Sequence, residues 1–237
     1  MSIGKIFGYL RDMVLDFFYP PRCPICEKYI ENRRDILCDE CEKNILDIEC
    51  ARDTGLPFKE VWKLTRYKGG TQNIIIDIKF NQKLNEVSVI KKILDKVLHS
   101  NIKLKTMLEI IDLAVAVPLH EKREQERGFN QVELFFGGWL NQQNIPMERL
   151  LLRNRDTDHL YDKNMQERAK EVKDAFSLTE GAEDKIKGKN ILVLDDIFTT
   201  GTTMGECAKV LKVGGAAEVY GVALASDHIF NPSPESS

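Results

Sequence analysis

The 237-residue chain has no run approaching the roughly 18 consecutive apolar residues that a membrane-crossing helix requires. It has no large excess of either charge: 34 Lys and Arg against 37 Asp and Glu leave a net charge of −3. That excludes a protein basic all over, though not a basic face. No secretory leader is expected either. The opening MSIGKIFGYLRDMVLDFFYP is apolar in part, but Arg11, Asp12 and Asp16 interrupt it and no small-residue cleavage site follows. Common nucleotide motifs are absent: there is no G-x-x-x-x-G-K-[ST] and no G-x-G-x-x-G after a strand. Gly181 to Lys189 holds a late Gly-Lys pair at the wrong spacing.

What remains is 43% hydrophobic and 30% charged, the balance of a globular chain of one domain plus a small module. Without a leader or a span, the expected location is cytoplasmic. Ile3, Ile6, Phe7, Leu10, Val14 and Phe17 recur at three- and four-residue steps, which predicts an amphipathic helix, docked on its own domain or, as the alternative, on a membrane surface.

Four of the six cysteines form two C-x2-C pairs, Cys23/Cys26 and Cys38/Cys41, separated by eleven residues. A two-residue gap turns both thiolates of a pair toward one ion, and two pairs complete the tetrahedral sulfur shell of structural zinc. No ligand position is left open for catalytic water. Cys50 stands alone, and Cys207 falls in a predicted helix as a small packed hydrophobe.

The strongest local signal lies in the second half. After the turn Lys187-Gly188-Lys189-Asn190, the apolar run Ile191 to Leu194 predicts a buried parallel strand. Asp195-Asp196 follow, then Ile197-Phe198 and Thr199-Thr200-Gly201-Thr202-Thr203, then a helix over Met204–Val213 closed by Gly214-Gly215. A helix N-terminus offers unpaired N–H groups and a positive dipole end to an anion. Gly201 allows close backbone approach, and the threonine hydroxyls add donors. A phosphate held there leaves the two carboxylates to accept from neighbouring ribose hydroxyls.

This stretch, ILVLDDIFTTGTTM, resembles the phosphoribosyl pyrophosphate (PRPP) signature of type I phosphoribosyltransferases. The resemblance implies that Asp195 and Asp196 hold the ribose hydroxyls and that Thr199, Thr200, Gly201, Thr202 and Thr203 hold the 5′-phosphate. It implies magnesium bound with the ligand and, if the protein is active, pentosyl transfer through an oxocarbenium-like state. Thr199 stands where hypoxanthine-guanine enzymes carry a catalytic Asp, which argues against purine salvage of that type. The fold expected is α/β, with a central, mainly parallel sheet.

Upstream, Asp112–Val117 predicts a second buried strand, ending at Pro118-Leu119-His120. The segment EKREQERGFNQ is read as a loop whose Lys122, Arg123 and Arg127 suit a pyrophosphate, and Gln131–Leu140 as a helix. VPLHEKREQERGFNQ, the cysteine pairs after Tyr-Pro-Pro-Arg, Tyr67 to Gly70, Ile78-Lys79-Phe80 and LKVGGAAEVYGVAL together resemble the ComF family of bacterial competence proteins. They run in the family's order from about residue 15 to 226. One segment departs: Arg168 is kept, but Leu160, Lys163 and Glu171 replace the family's usual residues. The polar run around it, with a solvent-facing His159, is expected to form a flap over the site.

From Lys59 to Lys105, eleven Lys or Arg face four Asp or Glu, with Trp62, Tyr67 and Phe80 interspersed. Basic groups among aromatics suit a single strand, and a helix with a solvated lysine face gives the same pattern. The ComF resemblance implies single-stranded DNA and a competence helicase as partners. Two other functions fit the loop: a metabolic phosphoribosyltransferase for a nucleobase or small acceptor, and a non-catalytic PRPP sensor with a nucleic-acid-binding zinc ribbon. No general base paired with a base pocket is legible, so no catalytic residue is assigned. The expected organisation is a helix and four-cysteine module over 1–57, a phosphoribosyltransferase-like domain over 58–227, and a disordered Ser/Pro-rich tail over 228–237.

Overall fold

The computed structural model describes residues 18, 20–30, 35–155, 174–228 and 230. The expected N-terminal helix, the flap with His159, Leu160, Lys163, Arg168 and Glu171, and the last seven residues lie outside these.

Short, mostly buried segments build the sheet. Strands β1 (Glu49–Ala51) and β2 (Glu60–Arg66) lie at one edge, β3 (Leu113–Ala116) at the other. Between them run β6 (Asn190–Phe198) and β7 (Glu218–Ser226), giving the order β1-β2-β7-β6-β3. A separate antiparallel pair is formed by β4 (Leu151–Arg153) and β5 (Phe176–Leu178). All neighbours in the main sheet are parallel except β1 with β2. This is the α/β class with a mainly parallel sheet that the sequence implied.

Alternation along β6 sends side chains to opposite faces. Leu192 and Leu194 join one core, with α2 (Gly70–Asn81), α3 (Val87–Ser100), α4 (Ile102–Leu108) and α6 (Gln131–Gln142). Ile191 and Val193 join the other, with β4, β5, α7 (Ala182–Ile186) and α8 (Thr202–Val213). α3 shows why sequence predicts such a helix: Val87, Ile90, Ile93, Leu94 and Val97 recur at three- and four-residue steps and all are buried.

The cysteine module shares the first of these cores. Cys23, Ile30, Leu37 and Ile45 are buried in it. Short helix α1 (Asp39–Asn44) is tied to α3 by Lys92 on Glu42 at 3.1 Å and by Lys96 on the Glu42 carbonyl. The tightest approach is at Gly70, where an added Cβ would lie 2.3 Å from Ile25 Cα and carbonyl O. Gly70→Ala is therefore expected to lower stability by about 1–3 kcal/mol in urea unfolding. Gly137→Ala, on α6 in open space, serves as the control and is expected to be neutral or stabilising. Equal midpoints for the two variants would show that the module yields at Ile25.

Two expectations need correction. Glu121–Arg127 is a helix, α5, not a loop. It lacks an apolar face, but Gln125 donates to Glu121 one turn back at 3.0 Å, and left-handed Gly128 closes it. The tail also does not begin as disordered chain. Phe230 is buried and stands edge-on to Phe198 at 5.1 Å, with its N–H on Glu49 at 2.8 Å. Buried Lys63 reaches the His228 carbonyl at 3.1 Å while paired with Asp47 and Glu49, both at 3.0 Å. The polar composition past 230 hides this anchor.

Candidate functional site

Strand β6 carries both acidic residues inside its length, since it stays paired to β7 as far as Phe198↔Ser226. Their side chains therefore take opposite faces. Asp196, 4% exposed, follows Leu192 and Leu194 toward α2 and α6. There Lys79, near the end of α2, pairs with its Oδ2 at 2.6 Å, and Gln131, the first residue of α6, donates to the same oxygen at 2.7 Å. Arg127 donates to Gln131 and stacks over Phe80, 5.7 Å from the ring centroid.

Asp195 takes the other face with Ile191 and Val193 and is half-buried. Burial pushes its carboxyl up and the Asp196 charge pushes it further, to about 8, while Lys79 and Arg153 pull it back. Its Oδ1 accepts from the Asp196 N–H at 2.8 Å. Beside it, Cys207 is fully buried in α8 and its thiol is pushed well above the ordinary range by burial.

The loop after β6 turns at Gly201, whose φ of +73° favours glycine. Space demands glycine as well, since a Cβ there would sit 2.5 Å from the Phe198 ring and 2.6 Å from Leu56. Thr200 and Thr202 hydroxyls share a 2.7 Å hydrogen bond, and Thr199 is exposed. Gly201 offers α8 no capping side chain and the first turn holds no acid, while the Thr202 N–H donates to Thr200 Oγ1 at 3.4 Å, so the helix end keeps its positive dipole. The arrangement can receive an anion at the helix end and polar hydroxyls at the carboxylates.

Among the other named residues, Arg123 and Arg127 share a face of α5 one turn apart. Lys122 is exposed and forms no ion pair among the described residues. A cavity of about 430 Å³ opens at the carboxyl end of β3, lined by Pro118, His120, Asn130, Arg149, Arg153 and Asn154 among others. The threonine loop does not line it. Within the loop Thr199 is exposed, Thr200, Thr202 and Thr203 are half-buried and Gly201 is buried.

The basic excess of residues 59–105 is largely spent on partners outside that window. Lys63 and Arg66 pair with Asp47, Lys92 with Glu42, Lys59 with Glu218 and Lys79 with Asp196. Trp62 is 3% exposed and cannot stack on a base, whereas Phe80 is 52% exposed.

The cysteine cluster is well defined. The Sγ atoms of Cys23, Cys26, Cys38 and Cys41 all lie within 4.8 Å of one another, and Cys26 and Cys38 within 3.5 Å. Zinc–sulfur bonds of about 2.3 Å in a tetrahedron require S···S near 3.8 Å, so four thiolates here fit structural zinc. Burial pushes the Cys23 thiol up, but backbone N–H groups of Cys38, Cys26 and Ile25 outweigh it and bring it to about 7. Cys50 is a half-buried thiol in β1, raised to about 12 by burial, outside the cluster.

A family profile described as a double zinc ribbon domain matches residues 14–64. The chain is similar to the DNA utilization protein YhgH of Escherichia coli, 28% identical over 205 residues, or 83% of this chain and 86% of that one. Competence protein F of Haemophilus influenzae is 29% identical over 123 residues, 50% of this chain and 52% of that protein. Among solved structures, glutamine PRPP amidotransferase from B. subtilis is 22% identical over 51% of this chain, with a TM-score of 0.33. The chain spans a quarter of that structure's length, and so loose a likeness supports no conclusion about the site. The zinc-ribbon match, a relative matched along most of its length and the half shared with competence protein F support the ComF resemblance of the sequence.

Proposed function

We propose that this chain binds PRPP with magnesium at the carboxyl end of β6 and acts in the uptake or use of DNA. The observation that carries the ligand is the run of β6, acidic pair, threonine loop and open α8 N-terminus. Ligands of parallel sheets bind outside the carboxyl ends of the strands. The 5′-phosphate sits on Thr199, Thr200, Gly201, Thr202 and Thr203, and Asp195 and Asp196 take the ribose hydroxyls. Lys122, Arg123 and Arg127 of α5 are the proposed partners for pyrophosphate, and Arg127 donates to the Gln131 that holds Asp196. Magnesium arriving with the ligand would keep most of its shell from water and the ligand's phosphates and would offset the pyrophosphate charge, so the chain needs no cage of its own.

The DNA part of the proposal is supported by the relatives named for DNA utilization and competence. Single-stranded DNA and a competence helicase are the proposed partners. Deleting the gene in its own host is expected to lower transformation by linear DNA, or growth on DNA, at least tenfold. Re-expression of the parent should restore it, and Asp195→Ala/Asp196→Ala should not. Normal uptake and growth in the deletion strain would remove DNA from the proposal and leave a metabolic PRPP protein.

A further inference from the structure

The signature run says nothing about what holds its acidic pair in place. Two carboxylates side by side at the inner end of a strand repel each other and lose hydration. Lys79, only 15% exposed, answers this at 2.6 Å from Asp196 Oδ2. Gln131 donates to that same oxygen from the opposite helix at 2.7 Å. Both donors therefore load one oxygen, and among the described residues Oδ1 of Asp196 accepts no hydrogen bond. Helix α2, which carries Lys79, is fixed at its other end by the close approach of Ile25 to Gly70.

We infer that Lys79 is a positioning residue for PRPP: with Gln131 it fixes Asp196 through Oδ2 and leaves Oδ1 for the ribose hydroxyls. This rests on the proposal that the loop binds PRPP. Lys79 contacts the Asp196 carboxylate, so in this inference its effect on the ligand passes through Asp196. A lysine serves better than arginine here because a compact ammonium shares one oxygen with Gln131, whereas a planar fork would engage both oxygens.

The test is PRPP affinity, with magnesium, in five forms of the full chain: parent, Lys79→Met, Lys79→Arg, Asp196→Asn and Lys79→Met/Asp196→Asn. Lys79→Met is expected to bind at least 30-fold more weakly, and Lys79→Arg to fall between it and the parent. On the Asp196→Asn background, Lys79→Met should add less than threefold, because its route is already cut. The pH midpoint of binding should also move upward in Lys79→Met, since Lys79 holds the Asp195 carboxyl down. A purely structural ion pair would lower thermal stability in Lys79→Met and leave affinity within threefold of the parent. That result, or equal losses on both backgrounds, overturns the inference. Should Lys79→Met not fold, Gln131→Leu removes the second donor without stranding a charge, and a loss of about tenfold is expected; unchanged affinity there overturns the inference equally. A parent that does not bind PRPP sinks the reading beneath it, and the two failures are distinguished by that first titration.

Discussion

Removing the metal from the four-cysteine cluster, by chelation or by Cys38→Ser, is expected to lower the melting temperature by about 10 °C or more. The cluster orders a segment with little core of its own. Ile30, Leu37 and Ile45 are buried only because the knuckles fold them onto α2 and α3. Losing the ion therefore uncovers the parts of α2 and α3 that the module covers as well as unfolding the module. The parent should hold one zinc per chain by metal analysis, and Cys50→Ser should hold as much, since Cys50 lies outside the cluster. A Cys38→Ser protein that melts like the parent would show that the segment folds without its metal.

Asp195→Asn is expected to stabilise the protein while abolishing PRPP binding. The folded carboxyl lies at about 8 against an ordinary value of 3.8. A raised value means that the folded state holds the proton more tightly than the unfolded state. The contribution of Asp195 is thus fully present below about pH 4 and is lost as pH rises through about 8. An amide has no such dependence. The stability of Asp195→Asn should exceed that of the parent by a margin that grows from pH 5 to pH 8, reaching roughly 2–4 kcal/mol. The amide oxygen still accepts from the Asp196 N–H, so the local backbone is kept. A margin that is flat with pH would mean that Asp195 is ionised throughout. Lower stability at pH 8 would mean that its charge is compensated in the folded state.

The acidic pair, the threonine loop and the cysteine cluster are legible in the sequence because each is local. Their chemistry is written in consecutive or closely spaced residues, and the helix and strand that place them are strongly patterned. The partners of Asp196 are not legible there. Gln131 lies 65 residues away, and Lys79 reads as one cation among eleven in a basic stretch. That stretch misleads because charge is summed along the chain, while Asp47, Glu42, Glu218 and Asp196 reach it across the fold. Helix α5 escapes detection because its residues are charged all round, and periodicity of apolar residues detects only helices that bury a face. Strands β4 and β5 are three residues each, too short for alternation to show.

The central claim is that the loop after β6 binds PRPP. The most direct measurement is thermal stability of the parent and of Asp195→Ala/Asp196→Ala, each with and without PRPP and magnesium. At about a hundred times its dissociation constant, the ligand should stabilise the parent by roughly 2.7 kcal/mol. For a chain of this size that is about 5–10 °C, and the double variant should not respond. A parent that does not shift, or a double variant that shifts as much as the parent, would contradict the assignment of this loop.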